Sequence, residues 1–263
     1  MGKLVVVDIG GSGTRMGIAT KKGVTSIQKM SGVRSTDALA GAVGRLIGGG
    51  IPSAVAVSAP GIIKDGSVQL SRNAGWLVGD TVGKISSSLG VRERNVHVIS
   101  DGEAHAMALR SHPDAKFGAI NIAIGTSVGF GAIDSKGSIL RSLTGDSWDL
   151  GNFELNTRAE EKSLWHALGG EFGFKELCKW ADEDGMKHFG YRLGGFAVQM
   201  AHLFRPRTVG LSGGVIKHHW NRIKPGFYDE FSRLDKFGEV LAKPSVVVLD
   251  HEEAALTGLA TLF

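Results

Sequence analysis

Hydrophobic and polar positions along the chain fall into short β-branched runs that end in glycine, alternating with longer stretches of helical period. The first run, Val5, Val6, Val7 and Ile9, is interrupted by one carboxylate, Asp8, and turns through Gly10, Gly11 and Gly13 into a second strand-like run ending near Ala19. Val24 to Lys29 supplies a third antiparallel strand across the turn Lys21-Lys22-Gly23. Thr36 reads as the N-cap of a helix whose Leu39, Val43, Leu46 and Ile47 share a face, stopped by Gly48-Gly49-Gly50. A strand at Ala54 to Ser58 is followed by a loop and turn over 59–66 and a strand at Val68 to Leu70. Asp80 caps a second helix through Val82, Ile85 and Leu89 to Gly90. Strand Val96 to Ile99 then runs directly into Ser100-Asp101-Gly102-Glu103, the start of a third helix.

The opening theme recurs in the second half. Ile120 to Ile124 is an apolar strand, Gly125-Thr126-Ser127-Val128-Gly129 a second glycine turn, and Phe130 to Ile133 a return strand, with a further hairpin turn at Asp134-Ser135-Lys136-Gly137 before Ser138 to Leu140. Residues 157–204 are mainly helical in period, including Leu177, Trp180, Ala181, Phe196, Met200 and Leu203. Strand Thr208 to Leu211 meets a third glycine turn, Ser212-Gly213-Gly214, which opens a helix at Val215. Ser245 to Leu249 is the last strand, and Asp250 caps a final helix, Glu252 to Leu262. Two strand–turn–strand units about 115 residues apart read as a duplication with a domain boundary near His112-Pro113. The expected fold class is α/β, with one domain over 1–112, a second over 113–250, and the C-terminal helix of 251–263 a candidate to pack back on the first.

Composition narrows the class. A chain of 263 residues with 42% hydrophobic content can bury sizeable cores, and its 39 glycines cluster after apolar runs, which favours tight turns under ligands over disorder. The single cysteine, Cys178, forms no internal disulfide and no cysteine zinc site, as expected in a reducing cytoplasm. No apolar segment precedes the first strand and no window of about 18 uninterrupted apolar residues exists, so a soluble, unexported protein without a membrane partner is expected. Thirty basic residues against 26 acidic ones leave a net charge of +4, too slight an excess to announce a nucleic-acid partner.

Two features carry candidate chemistry. Glycines in the first turn allow backbone N–H groups to close around a phosphate, and Asp8 at the end of the first strand is then placed to hold a hydrated divalent cation against it. The same stretch reads equally as an ordinary hairpin with a surface aspartate. It is not a GxGxxG or Walker element, because no helical period follows the glycines and no Gly-Lys-Ser/Thr is present. Asp101 stands at the carboxyl end of a buried strand, the usual address of α/β active-site residues, although an aspartate there also serves simply as an N-cap. The nine histidines contain no His-Glu-x-x-His pattern, and the adjacent His218 and His219 point to different faces of a helix. Trp165 and Trp180 fall in helical periods and read as core or interface.

Three glycine turns in this order, a strand-end aspartate between the first two, and a closing Glu-Glu-Ala-Ala-Leu-Thr-Gly helix together resemble the actin-like ATPase superfamily, and within it a sugar kinase of the ROK family (repressor, open reading frame, kinase). The resemblance implies two ribonuclease H-like domains, each a mixed sheet with flanking helices and a cleft between them: an acceptor and phosphate domain followed by a nucleotide-binding domain. It assigns Asp8, Gly10, Gly11, Ser12, Gly13, Thr14 and Arg15 to the first phosphate motif, Gly125, Thr126 and Ser127 to the second, and Gly213 and Gly214 to the adenosine motif. Sugar contacts are implied at Gly61, Asn73, Ser100, Asp101, Asp149 and Asn152. Asp101 is then the general base, and Mg²⁺ is held through water by Asp8. The family's Glu-x-Gly-His stands here as Asp149-Leu150-Gly151-Asn152 and its cysteine-rich zinc motif is missing, so no structural zinc is expected. The next residues, Phe153-Glu154-Leu155 and then Arg158-Ala159-Glu160-Glu161-Lys162, resemble the short, zinc-free polyphosphate glucokinase branch. That branch makes ATP or polyphosphate the implied donor and a homodimer the expected assembly; if the basic helix after the third glycine turn borders the donor end of the cleft, Lys217 and Arg222 are candidate polyphosphate contacts, and otherwise they belong to a solvated helix face. Three departures touch the sugar site: Ser100 for the usual Asn, Asp149 for Glu, and Asn152 for His.

These residues leave a sugar kinase, a kinase-like sugar sensor without turnover, and a filament-forming actin-like ATPase as readings. Retention of Asp8 and Asp101 disfavours the sensor, the chain length leaves little room for filament insertions, and the absence of a helix-turn-helix before the first strand disfavours a ROK-type repressor.

Overall fold

Glycines at the turn and β-branched residues on either side fold the N-terminus into an antiparallel hairpin, β1 (Leu4–Gly10) with β2 (Gly13–Thr20), in which Asp8 lies opposite Arg15. The structure is a computed structural model and describes residues 2–11, 13–113, 115, 118–125, 127–150, 154–157, 160–163, 183–237, 243–249 and 253–263. The chain divides into two units, Met1–Ala108 with Arg141–Trp148 and Glu253–Phe263, and Leu109–Leu140 with Asp149–Glu252.

In the first unit β3 (Gly23–Met30) extends the hairpin, and α1 (Thr36–Ile47) follows. Its cap is Ser35, one residue earlier than the sequence suggests: Ser35 has the extended backbone a cap requires, and its Oγ accepts the Ala38 N–H at 3.1 Å. β4 (Ala54–Ala59) runs parallel to β1. The segment expected to be only loop and turn contains a short strand, β5 (Ile62–Lys64), which pairs with β6 (Ser67–Leu70). α2 (Thr81–Leu89) begins at Asp80, whose carboxylate accepts the Gly83 N–H at 2.9 Å. β7 (Val96–Ser100) lies parallel to β4 and leads without a loop into α3 (Asp101–Ala108). The sheet order is β3-β2-β1-β4-β7. Alternation sends Val5, Val7, Val55 and Val57 into a core with Leu39, Val43 and Ile85 from α1 and α2.

The second unit repeats that plan. β8 (Ala119–Ile124) pairs antiparallel with β9 (Val128–Ile133), which pairs with β10 (Ile139–Leu140). A separate hairpin, β11 (Glu154–Thr157) with β12 (Glu160–Ser163), replaces the start of the expected helical stretch, whose end is α4 (Glu183–Phe204). Trp165, Leu177, Cys178, Trp180 and Ala181 lie outside the described residues. β13 (Thr208–Ser212) runs parallel to β8, α5 (Gly214–Phe231) packs along α4, and β14 (Ser245–Val248) is parallel to β13. The resulting order, β10-β9-β8-β13-β14, has the same two antiparallel pairings followed by two parallel ones as the first sheet. Phe189, Phe196, Phe227 and Phe231 are fully buried in this unit.

The final helix, α6 (Ala254–Ala260), belongs to the first unit and packs chiefly on α3, with further contacts to β1 through β4. The two helices approach so closely that a Cβ on Gly258 would lie 1.8 Å from the Ala104 carbonyl oxygen. Asp250, expected as its cap, lies outside the described residues. Among the described residues no helix is long and apolar enough to cross a membrane.

Candidate functional site

Parallel pairing of β1, β4 and β7 brings their carboxyl ends to one edge of the first sheet. Asp8 stands opposite Ser58, and Ala59 stands opposite Ser100, so Asp8, Ser58, Ser100 and Asp101 gather where α/β sheets place their ligands. Asp8 is buried; its Oδ1 accepts the Ser58 hydroxyl at 2.7 Å, and its Oδ2 lies 3.4 Å from Nη1 of Arg15. Hydrogen bonding thus fixes the carboxylate from the neighbouring strand on each side.

Asp101 occupies the first position of α3, where its Oδ1 accepts the N–H of Gly102 at 2.8 Å. Burial pushes its pKa up to about 6, against the lowering effect of the Gly102 hydrogen bond, and the negative charges of Asp8 and Glu103 push in the same direction as burial. A carboxylate whose proton affinity lies near neutrality suits a base.

The cap of α3 is a neighbour of Asp101. Ser100 Oγ accepts the Glu103 N–H at 3.1 Å while Glu103 Oε2 accepts the Ser100 N–H at 2.8 Å, a reciprocal capping box. Ser100 is therefore buried with one of its two hydroxyl lone pairs engaged by the helix. Glu103 is wholly buried and pairs with Arg141. Neither Glu103 nor Arg141 stands out in the sequence; Ser-x-x-Glu before an apolar helix was the readable signal for the first, and the second had none.

Gly61 lies just beyond β4, and Asn73 is exposed in the loop after β6. Asp149 is exposed and belongs to the second unit, while Ser12, Thr126 and Asn152 lie outside the described residues.

In the second unit the two glycine motifs are neighbours. Gly125 follows β8 and its N–H bonds the Ser127 carbonyl at 3.0 Å, closing a tight turn. Gly213 has φ 93° and its missing Cβ would stand 2.3 Å from the Ile124 carbonyl oxygen, so only glycine lets the turn after β13 rest on the end of β8. Gly214 then starts the 18-residue α5, whose positive N-terminal end faces the same edge. Asn121 in β8, which no sequence motif marks, donates to Ser212 Oγ at 2.8 Å with both residues fully buried, bracing the strand end that carries Gly213. A lone amide inside the run Ile120 to Ile124 was the signal available. A pocket of about 230 Å³ bordered by Gly118, Asp134 and Phe204 lies at the other end of this hairpin and contains no expected site residue.

Lys217 and Arg222 are exposed on α5. They stand about 140° apart around the helix, so Lys217 shares a face with Lys224, and Arg222 with His218. Among the described residues no group of three or more His, Cys, Asp or Glu side chains forms a metal cluster.

Residues 5–131 match the glucokinase family model. No curated protein sequence matches the chain. The fold is similar over 99% of both chains to a ROK family glucokinase from Streptomyces griseus in complex with glucose and AMPPNP, with a TM-score of 0.79 at 19% identity. A ROK hexokinase from Thermus thermophilus matches over 98% of this chain and 96% of its own, with a TM-score of 0.73 at 20% identity. An inorganic polyphosphate/ATP-glucomannokinase from Arthrobacter sp. strain KM matches over 100% and 98%, with a TM-score of 0.63 at 21% identity. The order of motifs that resembles the ROK family is thus accompanied by the glucokinase sequence pattern in the first half and by the ROK fold throughout.

The raised proton affinity of Asp101 has a stability consequence. A carboxyl group that holds its proton more tightly folded than unfolded costs stability once pH rises above its unfolded value of 3.8, and the full cost is reached above about 6. Asp101→Asn is therefore expected to be more stable than the wild type at pH 7.5, by about 1–3 kcal/mol. In guanidinium unfolding the difference should shrink as pH falls from 6 towards 4; a variant less stable at pH 7.5 would contradict the origin of the shift.

Proposed function

We propose that this chain is a ROK-type sugar kinase, which moves a phosphoryl group from ATP or polyphosphate to a hydroxyl of a hexose or related sugar. The glucokinase match over residues 5–131 supports a sugar phosphotransferase, and the placement of Asp8 and Asp101 at the same edge of one sheet is the observation that carries the mechanism. Asp101 accepts the proton of the attacking hydroxyl. Its pKa of about 6 leaves it ionised at neutral pH while keeping its affinity for a proton high. Backbone N–H groups of the Gly10–Arg15 turn and of the turn that follows Gly125, apart from the Gly125 N–H that closes that turn, hold donor phosphates together with the N-terminus of α5. Transfer requires donor and acceptor to be brought within bonding distance of one another.

Mg²⁺ fits Asp8 through water: both carboxylate oxygens keep lone pairs beyond the Ser58 and Arg15 contacts, and hydrated Mg²⁺ is commonly held by one or two carboxylates and the substrate phosphates. When bound, the ion supplies neutralisation of the charge on the transferred group. A cytoplasmic homodimer belongs to the same proposal. The reading of a sugar sensor without turnover is weaker, because sensing requires no strand-end carboxylate with a raised proton affinity.

The acceptor site is proposed to comprise Gly61, Asn73, Ser100, Asp101, Asp149 and Asn152. A shorter acid at Asp149 and an uncharged amide at Asn152 alter reach and donor pattern, and an unpaired buried polar group costs about 1–3 kcal/mol. In an acceptor screen that detects sugar phosphate by mass, a hexose or derivative other than glucose is expected to exceed glucose in kcat/KM by about tenfold or more. Turnover of glucose alone would overturn the acceptor assignment, and no phosphorylated product from any sugar would overturn the function.

Donor choice turns on α5. If Lys217 and Arg222 lie along a phosphate chain longer than that of ATP, polyphosphate use should fall more steeply with salt than ATP use, through screening and loss of counterion release. Lys217→Ala with Arg222→Ala should then weaken polyphosphate use selectively. Equal effects on both donors would reduce the cluster to a solvated helix face.

A further inference from the structure

We propose that Arg141 is a positioning residue for Asp101, and that the segment Arg141–Trp148 ties the base to the acceptor loop at Gly61. The inference rests on the reading of Asp101 as the base of a sugar kinase.

Arg141 follows β10 and opens the segment that returns to the first unit. Its guanidinium engages both oxygens of Glu103, Nε to Oε1 at 2.8 Å and Nη2 to Oε2 at 3.4 Å. Oε2 is also the oxygen that accepts the Ser100 N–H, so one carboxylate joins the arginine to the first turn of α3. Asp101 stands in that turn, between the two partners of the capping box. Glu103 is wholly buried, and without Arg141 its charge would stand uncompensated beside the base.

The other end of the segment is fastened as firmly. Ser147 donates its N–H to the Ile63 carbonyl at 2.8 Å and accepts the Ile63 N–H on Oγ at 2.8 Å, two residues beyond Gly61. The same hydroxyl lies 3.5 Å from the Gly61 carbonyl oxygen, and the backbones of Lys64 and Asp146 meet in an isolated antiparallel β-bridge. Between the anchors a closed turn limits the slack: Ser142 N–H bonds the Asp146 carbonyl at 3.0 Å, and Asp146 N–H bonds Ser142 Oγ at 3.1 Å. A short, internally bonded strap therefore sets the distance between the turn that holds Asp101 and the loop that holds Gly61. Displacement of a base by about 1 Å is enough to cost on the order of 10²-fold in rate.

The test compares Arg141→Met, Arg141→Lys and the double variant Arg141→Met with Glu103→Gln in the full chain, measuring kcat and KM for the acceptor with ATP and unfolding by guanidinium. Arg141→Met strands a buried charge and should lose both stability and kcat, the latter by about 10²-fold. In the double variant the charge is gone and the glutamine amide still completes a capping box, so stability should return towards the wild type. Its kcat should nevertheless stay about tenfold or more below the wild type with KM changed by less than about threefold, because the strap is still cut. Arg141→Lys, which restores charge without the fork, should lie between. Recovery of kcat together with stability in the double variant, or wild-type kcat in Arg141→Met, would overturn the inference. Turnover by Asp101→Asn would instead overturn the base assignment beneath it, so the two failures are distinguishable.

Discussion

Buried negative charge at the carboxyl edge of the first sheet is the constraint around which that unit is arranged. Three carboxylates, Asp8, Asp101 and Glu103, meet where β1 and β7 end. Two of them face an arginine, Asp8 with Arg15 and Glu103 with Arg141, and among the described contacts Asp101 has the Gly102 N–H and no cation. Removing one partner of a buried ion pair typically costs about 3–5 kcal/mol, so the two arginines hold their carboxylates in place. Burial, with the charges of Asp8 and Glu103 acting in the same direction, raises the proton affinity of the third, Asp101. In the proposed role of base, a carboxylate poised in this way would be worth roughly 10²–10⁴-fold in rate. The structural pairs and the chemical group are thus parts of one electrostatic arrangement.

The second unit uses the same strand order for a different end. Where the first sheet places carboxylates, the second places glycines: Gly125 after β8 and Gly213 after β13, with Asn121 and Ser212 hydrogen-bonded beneath them. One sheet plan thus supports an acidic edge suited to proton transfer and a backbone-lined edge suited to phosphate.

Much of this is legible in the chain itself. The β-branched runs and their glycine stops define β1, β2, β8 and β9, and Asp80 and Gly90 mark the ends of α2, because period and punctuation are local signals. Asp101 is visible from its place after a strand, and the order of motifs alone resembles the ROK kinases. Less legible is everything set by contacts distant in sequence. Ser35 competes with the adjacent Thr36, and only backbone geometry decides which one caps α1. Ile62–Lys64 is too short for a period to declare itself, and it becomes a strand by pairing with β6. The return of Arg141–Trp148 to the first unit rests on Glu103 and Ile63, so Arg141 carries no local mark of its role.

The central claim is that Asp101 takes the proton from a sugar hydroxyl during phosphoryl transfer. It is tested most directly by following transfer of the γ-phosphoryl group of ATP to the best acceptor in a single turnover, for wild type and Asp101→Asn, with acceptor and nucleotide binding measured on the same samples. Loss of transfer by about 10²-fold or more with both affinities kept within severalfold is the result predicted. Retention of more than about a tenth of the wild-type rate would contradict it.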